Sequence, residues 1–385
     1  MRFPDDVPVL SDDVVTLRAH TAADLERIVE QCNDPESVAW TTVPAPYGPE
    51  DAVEWVGTTI PAGWSTGADL CFAVDHGGQF VGSVNLRPRN GAEAEVGFGL
   101  HPAARGKGVM RRAVDLLLDW GFERQGLSVV SWRANAGNWA SRRVAWAVGF
   151  HFGPTIPRAL QQRGERYDAW TGWIAAGDSR KPKERWFDVP VLETDRLRLR
   201  GWRTDDGERL VQAANDERLR RFIPQTPLPL DLAGVPAYLL RVDLATAQGA
   251  RLAWCVADRQ TDRALGNVAI FDFEGPEGAE GAQLGYWAHP DARGSGVLSQ
   301  AARVVADWAL TATPDGLGLR RLYLLSAVSN TASRRVAEQA GFTHVGTERA
   351  AATVVDGGFD DNALYDRLAT DRPPDVRRAC GAAPR

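Results

Sequence analysis

A chain of 385 residues, 44% apolar and 24% charged, is long enough for about two ordinary domains and has the composition of a soluble globular protein. Its net charge of −6 and pI near 5.6 argue against a general nucleic-acid binder. No apolar run approaches the roughly 20 residues of a membrane span, and the start MRFPDDVPVL lacks the basic and apolar stretches of a signal peptide. The four cysteines are scattered with no CxxC pair, and the six histidines show no metal-ligand spacing, so a cytoplasmic protein without a metal site is expected.

In chain order, VVTLRAH alternates as a strand and TAADLERIVEQCN, opened by a Thr cap, reads as a helix. DLCFAVD and QFVGSVNLRP read as strands joined at HGG, and EAEVGFGLHP as a third. The segment MRRAVDLLLDWGFE follows, with Met110, Ala113, Val114, Leu117 and Leu118 at helical spacing. LSVVSWRA is a further strand, and Asn138 to Val148 is a helix capped by Asn138 and stopped at Gly149. The pattern predicts an α+β unit, a mostly antiparallel mixed sheet with a strand–loop–helix crossover at its centre.

Much of this is written twice. HPAARGKGV from His101 answers HPDARGSGV from His289, and NWASRRVAWAVGF from Asn138 answers NTASRRVAEQAGF from Asn330. The offset drifts from 182 at Leu17 and Leu199 to 192 at Asn138 and Asn330, as a duplicated domain with small loop insertions requires. The expected division is a first domain over 1–178, a charged linker over 179–190, a second domain over 191–370 and a disordered tail over 371–385. Two such units in one chain are expected to replace a homodimer, giving a monomer with approximate internal symmetry.

The repeated loop has anion-binding chemistry. Backbone N–H groups of a Gly-rich turn form a concave anion site, and the helix that follows adds its positive end. Arg105 and Lys107 add charge in the first copy; Arg293 remains in the second, with Ser295 in place of the lysine.

These residues resemble the GNAT acetyltransferases, in particular the RimJ/RimL-like branch: a strand, an ARGxGV loop after HP, then Asn-x-x-Ser opening a helix that ends in Gly-Phe. The resemblance covers both repeats. It implies two tandem GNAT-like domains and an acyl-CoA donor, acetyl-CoA or another acyl-CoA. The loops, Arg105, Gly106, Lys107, Gly108, Val109 and Met110, and Arg293, Gly294, Ser295, Gly296, Val297 and Leu298, would hold its pyrophosphate. Met110 and Leu298 depart from the broad motif, which has Gly or Ala there. Phe98, Gly99 and Leu100, and Tyr286, Trp287 and Ala288, would offer backbone to the pantetheine arm, which lies like an added strand. Asn138 and Asn330 would touch that arm, with Ser141 and Ser333 nearby; as plain helix N-caps they would serve equally well.

The resemblance further implies transfer of the acyl group, acetyl first of all, to a primary amine: a peptide or protein N-terminus or a small molecule. Glu95 stands where a related branch carries its base, whereas the second copy has Gln283, which cannot take a proton. Glu95 could equally be an ordinary exposed strand residue. Asp168 and Asp361 are further carboxylate candidates, and His101 and His289 read as structural. The tyrosine acid frequent in the superfamily would fall near Ala145 and Ala337, so neither copy has it. The first copy is therefore read as catalytic.

Two alternatives stay open. One takes a longer acyl chain from the phosphopantetheine of an acyl carrier protein in peptide natural-product biosynthesis. It would use Trp132, Trp139 and Trp146 as an apolar channel rather than as core, and the paired arginines (Arg111–Arg112, Arg142–Arg143, Arg334–Arg335) to attract the carrier. The other is a non-catalytic acyl-CoA-binding protein. The segments WTTVPAPYGPE and RFIPQTPLPL are the expected determinants of the acceptor.

Overall fold

The computed structural model describes residues 7–223, 230–275, 280–355 and 358–371. The tail predicted over 371–385 lies outside these except for Asp371, and RFIPQTPLPL lies mostly outside them. The chain divides into two compact units, Met1–Lys183 and Glu184–Arg385, with the break inside the stretch read as a linker.

The first unit opens with β1 (Leu10–Ser11) and β2 (Thr16–Arg18). The expected Thr-capped helix begins instead with a 3-10 turn, Ala22–Asp24, and continues as α1 (Leu25–Asn33). Asp24 ends that turn because its carboxylate accepts from Thr21 N and is bound by Arg18. Then come α2 (Pro35–Trp40), α3 (Pro49–Glu54) and α4 (Ile60–Thr66), the last two joined by a π turn over Trp55–Thr59. No strong 3.6-residue pattern in the sequence announces these three. The rest follows the predicted order through β3 (Leu70–His76), β4 (Gln79–Pro88), β5 (Glu93–Leu100), α5 (Val109–Glu123), β6 (Val129–Asn135) and α6 (Trp139–Val148), after which come β7 (His151–Phe152), β8 (Ile156–Gln162) and β9 (Glu165–Ala175), which no local pattern announces. The sheet order is β1-β2-β3-β4-β5-β6-β9-β7, with β8 also on β9.

The second unit repeats this with β10 (Leu192–Glu193), β11 (Leu197–Arg200), α7 (Gly207–Ala214), α8 (Glu217–Phe222), α9 (Val235–Ala247), β12 (Arg251–Asp258), β13 (Ala264–Glu274), β14 (Gly281–Ala288), α10 (Val297–Ala309), β15 (Arg321–Ala327), α11 (Thr331–Gln339), β16 (Thr343–Thr353) and β17 (Phe359–Leu368). Its sheet order is β10-β11-β12-β13-β14-β15-β17-β16.

The core lies between each sheet and its crossover helix. In α5 the predicted stripe of Met110, Ala113, Val114, Leu117 and Leu118 is buried throughout. Trp120 of the same helix meets Phe72 of β3 edge-on, at 5.3 Å between ring centroids. Burial of such large apolar side chains contributes on the order of 2–3 kcal/mol each. The opposite face of the sheet carries α1 and α3, whose Ile28, Cys32 and Ala52 pack with Ala73 and Phe80.

Candidate active site

Among the described residues each sheet has one parallel pair, and that pair creates the site. β5 pairs with β6 only through Glu93–Val129 to Val96–Trp132, although β5 runs on to Leu100 and β6 to Asn135. In the second unit β14 pairs with β15 only from Gly281–Arg321 to Gln283–Tyr323. Beyond those points the strands part, and Gly97 to Leu100 keep a neighbour only on the β4 side. The exposed backbone edge can accept an extended ligand as if it were a strand. Phe98, Gly99 and Leu100 line that edge, as do Tyr286, Trp287 and Ala288 in the second unit.

At the end of each parted strand comes the repeated loop. His101 caps a 3-10 turn, Pro102–Ala104, by accepting from Ala103 N, and His289 does the same for Pro290–Ala292. Both histidines are buried and hydrogen-bonded on the far side, to Glu30 and to Gln212, so their role is structural. Gly106 and Gly108 have φ of +73°, and Gly294 and Gly296 have +74° and +78°. A side chain would be strained there. Around all four the space is open, and a Cβ added to any of them would meet nothing within 4 Å. The helix N-terminus opens immediately after, at Val109 and Val297, with the N–H groups of its first turn outside its own ladder. An open concave turn feeding a helix N-terminus fits a pyrophosphate.

The loop arginine has a different occupation from the one expected. Arg105 binds Asp34 at 2.5 Å and Glu36 at 2.7 Å, and Arg293 binds Asp216. Asp34 and Asp216 are the N-caps of α2 and α8. The arginine therefore fastens the loop to the preceding helix in both copies. Lys107 donates to Ala103 O and Ser295 to Ala292 O.

Asn138 and Asn330 are N-caps, accepting from Ser141 N and Ser333 N. Ser141 Oγ accepts from Trp132 Nε1 at 2.9 Å. In the second unit the Tyr286 hydroxyl donates to Ser333 O, and burial pushes its ionisation above the ordinary tyrosine range. Ala145 and Ala337 are buried. The tryptophans pack: Trp132 and Trp170 are among the largest fully buried side chains, and Trp139 lies against Trp170 at 4.5 Å.

Asp168 and Asp361 lie beside the parted ends of β6 and β15, where Ala136 N and Val328 N donate to their backbone oxygens, and Glu95 lies on β5 opposite Ser131, within the last paired residues. Glu95 is 9% exposed. Its Oε2 accepts from Arg89 Nη2 at 3.0 Å and from Arg133 Nε at 2.9 Å, while Oε1 has only Arg87 Nη1 at 3.7 Å. Two guanidiniums thus hold one oxygen and leave the other directed away from them. Asp168 Oδ1 accepts from Arg158 N at 2.9 Å, and Asp361 Oδ1 accepts from Ala350 N at 2.8 Å. Arg158 and Ala350 have φ of +53° and +51°, so each aspartate braces a strained residue in its hairpin.

The sequence reading missed the side chains around Glu95. Register places Arg87 opposite Glu95, Asn85 opposite Gly97 and Ser83 opposite Gly99, all on one face. Asn85 donates to Asp69 at 2.5 Å. Burial pushes the Asp69 carboxyl up, against the downward pull of that bond and of Arg87. The period-2 alternation of VNLRPR held this signal, but only pairing with β5 tells which alternate residues meet Glu95.

A sheet split at one parallel pair over a Gly-rich anion loop defines an acyl-CoA-dependent N-acyltransferase. The chain belongs to the GNAT acetyltransferase family: the model of the acetyltransferase (GNAT) domain matches residues 15–151 and again 196–343. Similar solved structures each cover less than half of this chain. A putative ribosomal-protein-serine acetyltransferase from Vibrio cholerae is 17% identical over 44% of this chain and 98% of its own, with a TM-score of 0.39. RimJ of Mycobacterium smegmatis, in complex with CoA-disulfide, is 20% identical over 46% and 90%, with a TM-score of 0.41. The Microcin C7 self immunity acetyltransferase MccE, in complex with acetyl-CoA and AMP, is 18% identical over 46% and 93%, at 0.39. No curated protein matches the chain. Among the described residues no helix is long and apolar enough to cross a membrane, and no group of three or more His, Cys, Asp or Glu is placed to hold a metal.

Proposed function

We propose that the first unit transfers an acetyl group from acetyl-CoA to a primary amine, and that the second unit binds acyl-CoA without catalysing transfer. The observation that carries this is the coincidence in the first unit of the open positive-φ loop, the parted strands and a carboxylate held by one oxygen. The donor supplies an activated thioester. Backbone N–H groups along Gly97 to Leu100 would position it and stabilise charge developing on its carbonyl oxygen. Glu95 Oε1 takes the proton from the attacking ammonium, directly or through one water, so that the neutral amine attacks the carbonyl carbon as the C–S bond breaks. Solvent returns a proton to the leaving thiolate. Gln283 cannot perform the first of these steps. The burial of Trp132 and the packing of Trp139 on Trp170 favour a short acyl chain, because forcing methylenes into a filled core costs about 1–3 kcal/mol.

Titration of CoA into Gly108→Asp and Gly296→Asp variants tests the reading. Each substitution puts a strained side chain and a negative charge into one anion cradle. Each should therefore remove one CoA site from a total of two. Unchanged stoichiometry in both variants would overturn it.

A further inference from the structure

The face around Glu95 carries more positive charge than the proton transfer uses. Arg87, Arg89 and Arg133 are 46%, 48% and 40% exposed at the side chain, and all three approach the same carboxylate. Arg89 and Arg133 spend donors on Glu95 Oε2. Arg87 does not: its contact with Oε1, at 3.7 Å, is longer than a hydrogen bond. The acidic groups on this face include Glu93, Glu95 and Asp69, and Asp69 is bonded to Asn85.

Where the Arg87 guanidinium lies is informative. A Cβ on Gly97 would come within 2.5 Å of Arg87 Nη2 and closer still to Asn85 Oδ1. Gly97 is the first residue of β5 beyond the last pair with β6. The guanidinium therefore rests over bare backbone at the mouth of the split, where an amine must arrive to reach a thioester laid along β5. The second unit keeps the glycine and changes what rests on it. Phe271 stands in register where Arg87 stands, and a Cβ on Gly285 would meet its ring at 2.9 Å. The position above this glycine is thus a place where the two units carry different recognition chemistry on one backbone.

We propose that Arg87 recognises an anionic oxygen group, carboxylate or phosphate, on the acceptor amine of the first unit. The assignment rests on the reading of that unit as an acyltransferase. A guanidinium presents a planar fork of donors matched to two oxygens of such a group, and Arg87 has its donors unspent. Arg89 and Arg133 already commit donors to Glu95 Oε2, so a second anion there would share a guanidinium with that carboxylate. The acceptor class is then an amine with an acidic substituent near the nitrogen, such as a chain whose first residue is acidic or phosphorylated.

Calorimetry with matched dipeptide amides tests this, in the presence and absence of saturating CoA. The pairs are Asp-Ala-amide against Asn-Ala-amide, and phosphoseryl-Ala-amide against seryl-Ala-amide. In wild-type protein at least one charged member should bind tenfold or more tightly than its neutral partner, and the pair that responds identifies carboxylate or phosphate. Arg87→Met should erase that ratio while leaving the neutral peptide within about twofold; Arg87→Lys should keep part of it. Charged members that bind no better than neutral ones, or a ratio that survives Arg87→Met, overturn the assignment. Failure of CoA itself to bind wild-type protein would instead remove the acyltransferase reading, so the two failures are distinct.

Discussion

The two units share one backbone and differ on one face. In the first, the strands beside the split carry Ser83, Asn85 and Arg87 opposite Gly99, Gly97 and Glu95. In the second, the same register carries Asn267, Ala269 and Phe271 opposite Trp287, Gly285 and Gln283. A polar, charged face has become an aromatic one. Trp287 stacks on Trp202 at 5.5 Å, and the Trp202 indole donates to Asn267. The matching place in the first unit has His20, bonded through Nε2 to Ser83. Arg251 lies over Phe271, and burial lowers its pKa. The loops, by contrast, agree down to their φ angles and the arginine that fastens them. On the proposed reading, duplication kept the donor side and let the acceptor side diverge, because backbone would read the donor's phosphates while side chains would read the acceptor.

The sharpest way to break this comparison is to remove the proton acceptor. Glu95→Gln should lower kcat by about 10²–10⁴-fold with little change in CoA affinity, while Gln283→Ala leaves kcat within twofold. A large loss from Gln283→Ala, with none from Glu95→Gln, would reverse the roles of the units.

A pH difference follows from His20. Burial drives its pKa down to about 4, against the pull of Asp24, and its Nδ1 is buried with no hydrogen-bond partner. In the unfolded chain the imidazole titrates near the ordinary 6.5, so between these values the unfolded state holds more protons. The stability this group contributes is present above about pH 6.5 and lost as pH falls toward 4. The loss should reach up to about 3 kcal/mol. Denaturant melts of His20→Asn against wild type across that window should show the acid loss shrinking. Equal slopes in both proteins would refute the assignment, and the second unit, with Trp202 in this place, should show no such component.

The aromatic face of the second unit should be a matter of packing. Trp287→Ala removes one half-buried partner of a stacked pair and should cost that unit about 2 kcal/mol, read as an earlier unfolding transition. It should leave acetyl transfer unchanged. Loss of turnover with no loss of stability would show that the indole touches a substrate.

The smallest effect sharpens the likeness rather than the difference. Asp168→Ala and Asp361→Ala each delete one hydrogen bond to a positive-φ residue and should each cost about 1 kcal/mol of stability, with kcat within twofold. A kcat loss on the scale expected for Glu95→Gln would return one of these aspartates to the chemistry.

By itself the sequence determined the duplication, the order of most strands and both crossover helices, and the anion loop. These are local or periodic signals: the stripe from Met110 to Leu118, the glycines at 106 and 108, the Asn138 cap. Glu95 stands out through a family resemblance, and its role is part of the proposed function. Only the tertiary structure decided what the candidate residues touch. Arg105, expected near a phosphate, binds an N-cap aspartate some 70 residues earlier in the chain. Asp168, a candidate carboxylate, braces a backbone turn across its hairpin. The arginines around Glu95 come from β4, the β4–β5 connection and β6, and only the first two are near in sequence. Strand pairing and parallel crossover bring such groups together. A sequence carries the period of a strand but not the register that decides which of its side chains meets which.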